Sequence, residues 1–145
     1  MSRRFPAAIL FDMDGTIAET ERDGHRVAFN RAFVELGLDW HWDPALYGAL
    51  LEVTGGKERI SHYARTFRPE VVLRPDFASL VAEIHRIKTD HYTRGVSSTP
   101  MPLRSGVARL IGEARAAGTR LAIATTTTMD NVDALLRASL APDAP

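Results

Sequence analysis

Two short apolar runs stand far apart in this chain, and each ends in a narrow class of polar residue. Ala7-Ala8-Ile9-Leu10-Phe11 is closed by Asp12-Met13-Asp14-Gly15, and Leu121-Ala122-Ile123-Ala124 is closed by Thr125-Thr126-Thr127-Thr128. An apolar run without alternation, bounded by turn residues, predicts a strand buried on both faces. The stretches between and after these runs carry helical periodicity. Strand, helices, strand, helix predicts an α/β fold in which the two strands are parallel and their crossover is right-handed. In such a fold a ligand belongs in the crevice at the carboxyl ends of the strands, where both polar clusters lie.

The helical stretches have readable boundaries. Phe29, Ala32, Phe33 and Leu36 recur at i, i+3, i+4 and i+7, and Gly37 follows as a helix stop. Asp43 and Pro44 predict the N-cap and first residue of a second helix through Leu51. Thr54-Gly55-Gly56 breaks it, Lys57 begins a third, and Pro75-Asp76 begins a fourth with Leu80, Ile84 and Ile87 on its apolar face. Gly95 to Pro102 reads as a turn-rich connection. Val107, Leu110, Ile111 and Ala114 then form a helix closed by Gly118, and Asp130 caps a last one carrying Val132, Leu135 and Leu136. The prediction is a β-α-β core with a four-helix insert, and the tail 141–145 has no periodicity.

Composition narrows the function classes. Eighteen basic and eighteen acidic residues balance, which gives no electrostatic case for nucleic acid or an anionic membrane as partner. Cysteine is absent, so a disulfide scaffold, a thiolate zinc site and a catalytic thiol are excluded. No apolar run approaches the length of a membrane span, and the run behind Arg3-Arg4 stops at Asp12, which argues against a signal peptide. A cytoplasmic setting is the expectation. Of the basic residues sixteen are Arg, and Lys57 and Lys88 are the two Lys. Any task that needs a lysine falls to one of these.

Asp12 and Asp14 are two apart at the end of an extended segment, so their side chains project to one side. Paired carboxylates repel, and a divalent cation relieves the repulsion; magnesium suits, because it binds one or two carboxylates and fills its octahedron with water and phosphate. One carboxylate could then attack phosphorus while the other gives a proton to the leaving oxygen. The same residues also suit a plain turn. Thr125 at the exit of the other strand offers a hydroxyl to a phosphate oxygen, and the amides from Thr126 into the last helix add positive potential. Thr equally favours strand ends and caps.

Together these residues resemble the haloacid-dehalogenase-like phosphatases. Phe11-Asp12-Met13-Asp14-Gly15-Thr16 is similar to their first motif and Leu121-Ala122-Ile123-Ala124-Thr125 to their second. The inserted helices take the place of the cap in the phosphoglucomutase-like branch. Thr20-Glu21-Arg22-Asp23-Gly24-His25-Arg26, Trp40-His41-Trp42 and Thr54-Gly55-Gly56-Lys57-Glu58-Arg59-Ile60 resemble the CbbY group within it, which removes a phosphate from xylulose 1,5-bisphosphate. The resemblance implies a partial Rossmann-like core at 1–18 and 96–145 and a cap at 19–95. It implies Asp12 as nucleophile and magnesium ligand, and Asp14 as general acid and base whose backbone carbonyl reaches the metal. It assigns Thr125 and Thr126 to phosphate, and Glu21, His25, Gly55, Gly56, Lys57, Arg59 and Lys88 to the substrate side. Lys57 and Arg59 alone would also suit a solvated helix face, and His25 a packed histidine. His41, His62, His85 and His91 receive no role.

The resemblance further implies a third motif with a lysine and a fourth with acidic residues. No lysine follows Lys88, and the acidic residues after Thr125 are Asp130, Asp133 and Asp143. The expectation is a sequence cut short after the second motif, from a magnesium-dependent sugar-phosphate phosphatase. A phosphosugar mutase of the same branch, or a non-catalytic sugar-phosphate-binding remnant, are the alternatives. Self-association through an open sheet edge is a further expectation for so small a sheet.

Overall fold

A computed structural model describes residues 5–140 of the chain. Two strands, β1 (Ala8–Phe11) and β2 (Arg120–Ile123), pair in parallel, with Ile9 beside Leu121 and Phe11 beside Ile123. Between them lie a π-helical turn at Glu21–His25 and the helices α1 (Arg26–Glu35), α2 (Pro44–Leu50), α3 (Gly56–Phe67), α4 (Pro69–Val72), α5 (Phe77–Ser98) and α6 (Val107–Ala116). Helix α7 (Met129–Ser139) follows β2. Among the described residues no helix is long and apolar enough to cross a membrane.

Local chemistry sets most boundaries. Asp43 Oδ1 accepts the Leu46 amide at 2.8 Å and Pro44 opens α2, as the sequence predicts. Gly37 and Gly118 take positive φ where α1 and α6 stop. Three expectations need correction. Pro69–Val72 forms a one-turn helix of its own, so five helices rather than four precede α6. α5 runs on through Gly95 to Ser98, because Tyr92 and Val96 are buried against Val132, Leu135 and Leu136 of α7. Burial of that last turn outweighs the helix-breaking tendency of glycine. The N-cap position of α7 is Thr128 rather than Asp130, which falls inside the first turn.

The sheet is not buried on both faces as its apolar runs predict. Ile9, Phe11, Leu121 and Ile123 pack with Ile17, Leu103, Val107 and Ile111 on one face. On the other face Leu10 is 68% exposed and its register partner Ala122 is exposed. The strands are covered on one face only. An apolar run cannot distinguish these two cases, since the second covering layer is a matter of what packs there.

The largest apolar cluster lies in the insert. Phe29, Phe33, Trp40, Trp42, Tyr47 and Tyr63 form a continuous aromatic group, with Phe33 and Trp42 edge to face at 4.9 Å between ring centroids. Asn30 fixes the Trp42 backbone in both directions: its Nδ2 donates to Trp42 O and its Oδ1 accepts from Trp42 N. Truncating Phe33 to Ala should cost about 3–5 kcal/mol. Leu10→Ala, on the open face, should change stability by no more than about 0.5 kcal/mol. Denaturant unfolding of the two variants checks the contrast, and comparable losses would show that the sheet is covered on both faces.

Candidate active site

The parallel ladder brings the two strand exits side by side, with Ala124 N donating to Phe11 O at 2.8 Å just past the paired residues. After Asp14 the chain folds back sharply. Gly15 adopts φ 75°, its amide reaches Ala18 O, and Arg104 Nη1 donates to Gly15 O at 2.6 Å. The threonine exit is ordered by its own hydroxyls. Thr125 Oγ1 accepts the Thr127 amide at 3.2 Å, and Thr127 Oγ1 accepts from Asn131 Nδ2 at 2.9 Å. This sets the first turn of α7 next to the Asp14 loop, where its unpaired amides favour an anion.

Asp14 is the electrostatic centre of the arrangement. Thr20 Oγ1 donates to its Oδ1, and His25 Nε2 lies 3.0 Å from the same oxygen. Burial alone would raise the Asp14 pKa. The His25 hydrogen bond, the Thr20 hydroxyl and the Lys88 ammonium outweigh it, and the carboxyl is held below its ordinary range. The His25 ring is buried and stacks on Tyr92 at 4.0 Å between centroids. Burial and then Lys88 push its pKa down against the pull of Asp14, so the neutral imidazole prevails and donates through Nε2. Its Nδ1 is then a buried acceptor without a partner.

A cleft opens from this pair. Its walls are Asp14, Glu21 and His25, then Gly55, Gly56, Arg59, His85 and Lys88 from the insert, and Thr126, Thr127, Thr128 and Asn131 from the α7 end. Lys88 is 5% exposed, its Nζ sits 5.3 Å from the Phe29 ring centroid and 5.2 Å from that of Tyr92, and burial lowers its pKa to about 8. Arg59 is also buried, yet it is committed: Nε donates to Leu50 O and Nη1 to the Tyr47 hydroxyl, which itself donates to Glu21 at 2.6 Å. Its fixed fork therefore holds Tyr47 and Glu21 at the cleft wall.

Glycine is favoured at two points. Gly55 has φ 92°, and a Cβ there would overlap the Glu58 carboxylate. A Cβ on Gly56 would fall 2.7 Å from His85 Cδ2.

Most sequence-predicted site residues meet at this cleft: Asp14, Glu21, His25, Gly55, Gly56, Arg59, Lys88 and Thr126. Asp12, Thr125 and Lys57 lie outside its walls. The Asp12 side chain is exposed, accepting the Met13 amide at 2.8 Å and the Thr16 hydroxyl at 3.4 Å. Thr125 turns its hydroxyl into its own loop, and Lys57 is exposed on the first turn of α3. The sequence reading passed over His85, Thr127, Thr128 and Asn131. His85 has one usable signal, the Gly55-Gly56 pair, because a second glycine beside a strained one marks a close approach. Burial, Lys88 and Lys57 hold His85 neutral, with a pKa lowered to about 4.

Among the described residues no group of three or more His, Asp or Glu gathers to enclose a metal. Asp12 presents an exposed carboxylate at the strand end, whereas the Asp14 carboxylate is taken by Thr20 and His25. That donor set suits magnesium, which accepts one carboxylate with a carbonyl, waters and phosphate oxygens. It does not suit a metal that needs a closed protein cage.

The family model for haloacid dehalogenase-like hydrolases matches residues 6–143. A protein CbbY, plasmid, of Cupriavidus necator is 54% identical over 136 residues, covering 94% of this chain and 53% of its own length. A crystal structure of CbbY from Rhodobacter sphaeroides in complex with xylulose-1,5-bisphosphate superposes with a TM-score of 0.81 at 47% identity, over 92% of this chain and 56% of that one. A second structure of that protein, in complex with phosphate, gives 0.81 at 48% over the same shares. The chain spans about half the length of the curated relatives it matches. It belongs to the haloacid dehalogenase-like hydrolase family.

The depressed lysine gives a signed pH dependence. Between about 8 and its ordinary value of 10.5, Lys88 is neutral when folded and protonated when unfolded. The unfolded state binds the extra proton, so unfolding free energy should rise across that window, by at most ~3 kcal/mol. Lys88→Met should remove the rise and be the more stable form below pH 8. Denaturant unfolding from pH 7.5 to 10 reads both effects; a flat parent profile would mean the ammonium is solvated.

Proposed function

We propose that this chain carries the nucleophilic and substrate-selecting part of a sugar-phosphate phosphatase, with a xylulose-1,5-bisphosphate-type substrate. The observation that carries the reading is the single cleft shared by the Asp14–His25 pair, the α7 amide end and the Gly55-Gly56 turn. Phosphate-suited groups stand at both ends of it, which a bisphosphate requires. The comparisons support the same reading, since one relative, CbbY of Rhodobacter sphaeroides, was crystallised both with that sugar bisphosphate and with phosphate. Residues 1–18 and 96–145 form the core portion and 19–95 the cap that chooses the sugar.

The Asp12 carboxylate, exposed at the strand exit, attacks phosphorus and forms an aspartyl-phosphate as the sugar oxygen leaves. Asp14 protonates that oxygen and later takes the proton of the attacking water. Its surroundings in the free site favour the carboxylate, the form needed for the second half-reaction. An anionic phosphoryl group bound beside the threonine loop shifts it the other way, toward the acid needed for the first. Asp12 and the Asp14 backbone carbonyl would hold magnesium, which when bound neutralises charge between nucleophile and phosphoryl oxygens. Thr126 and the Thr128 amide orient the transferring group, while the Thr127 amide stays on Thr125 Oγ1 and shapes the loop. Gly55, Gly56 and Glu21 receive the sugar and its second phosphate, Arg59 holds Glu21 and Tyr47 in place, exposed Lys57 adds charge at the cleft mouth, and Lys88 sets the potential between the two ends.

Phosphate release tests this in a polypeptide of the relatives' length, made by joining the chain to the unmatched remainder of the Cupriavidus protein. With magnesium and xylulose-1,5-bisphosphate it should turn over. Asp12→Asn should lower the rate by roughly a thousandfold or more and abolish any trapped phosphoenzyme. Release near the parent rate in that variant would remove Asp12 from the nucleophile's role.

A further inference from the structure

A glycine inside a helical turn lowers stability unless something needs its side chain to be missing. Gly24 is such a residue. It is buried in the π-helical turn Glu21–His25, and it is not one of the glycines with positive φ, so its backbone does not call for glycine. Its surroundings do. A Cβ on Gly24 would fall 2.7 Å from Met101 Cε and 2.9 Å from Tyr92 Cε2, both well inside carbon–carbon contact distance. The methionine tip can move aside. The tyrosine ring cannot, because Tyr92 is 2% exposed and belongs to one buried cluster with Ala28, Val132 and Leu136.

The same ring reaches the cleft. Tyr92 presents an edge carbon to Gly24 and its face to His25, whose ring stacks on it at 4.0 Å between centroids and 18° between planes. His25 Nε2 in turn stands 3.0 Å from Asp14 Oδ1. The π turn sorts these residues. Arg26 N donates to Glu21 O across the wide turn, which places Glu21 and His25 on the cleft wall and leaves Gly24 out of it. Met101 packs on Gly24 from the connection between α5 and α6, where the chain returns from the insert. That connection is also tied to the outgoing one, since Arg104 N donates to Ile17 O at 2.8 Å. We infer that Gly24 is a positioning residue: its missing side chain seats the Tyr92 ring where it holds His25 on Asp14. Gly24 matters to the reaction only on the reading proposed above, in which Asp14 is acid and base. The seating of His25 belongs to the free chain either way.

Nitrogen NMR of the His25 ring in the full 145-residue chain tests it. In the parent, the neutral ring should carry its proton on Nε2, and that proton should exchange slowly with water. In Gly24→Ala it should exchange faster by roughly tenfold or more, and the other tautomer should become populated. Circular dichroism should show no loss of helix, since Ala favours a helical turn over Gly. Adding Met101→Ala should not restore the parent signal, because Tyr92 is the rigid neighbour. Tyr92→Leu, which leaves Gly24 uncrowded and removes the ring, should free the proton in the same way and decides the matter if Gly24→Ala loses helix. Three results would overturn the inference. They are a His25 ring unchanged in Gly24→Ala, full recovery on adding Met101→Ala, and a proton still protected in Tyr92→Leu. Turnover is not the readout, so failure of the phosphatase reading would not be mistaken for failure of this one.

Discussion

Asp14 Oδ1 receives hydrogen bonds from Thr20 and His25 while the Lys88 ammonium acts on the same carboxylate, and these groups arrive from two stretches of chain, the π-helical turn with its N-cap and α5. A charge half removed from water requires such compensation. Satisfying it ties the strand exit to the π-helical turn and to the middle of α5. His25 meets the requirement only because Tyr92 stacks beneath it, and Tyr92 is buried against α7. The cleft is thus the by-product of solvating one carboxylate with protein groups. Its opposite walls are held in register by the same contacts that keep Asp14 ionised.

The polar cleft and the apolar sheet face divide the molecule's unfinished surfaces. At the cleft, polar groups are left over in quantity: buried acceptors on His25 and Asn131, a buried hydroxyl on Thr128, and the first amides of α7. Arg59, by contrast, commits its Nε to Leu50 O and an Nη1 donor to the Tyr47 hydroxyl, which fixes Tyr47 and through it Glu21. At the sheet the exposed surface is apolar, with Leu10 and Ala122 side by side. Two kinds of surplus surface thus stand at one strand end.

The fold was legible where local chemistry decides it. Asp43-Pro44, Gly37 and Gly118 mark helix ends by capping and backbone freedom, and the apolar period locates α1, α6 and α7. It was illegible where tertiary packing decides. Gly95 reads as a stop, but α7 stabilises the turn beyond it, and Leu10 reads as core, yet it is exposed. In the site, the Asp-x-Asp-Gly and threonine exits could be read because each motif is contiguous. His85 could not, because its place in the cleft depends on how closely α5 approaches Gly56 on α3. Lys57 and Arg59 look equivalent as a charged helix turn, yet one is exposed and the other buried, a difference set by the helix face each occupies.

On the proposed reading one ligand spans the cleft from the threonine loop to the Gly55-Gly56 turn. Amide NMR of the isotopically labelled chain, titrated with xylulose-1,5-bisphosphate, tests it most directly. Saturable shifts should appear together at Thr126–Thr128 and at Gly55 and Gly56, with inorganic phosphate moving the threonine set alone. Shifts confined to one end, or spread over exposed arginines without saturation, would contradict a shared sugar-bisphosphate site.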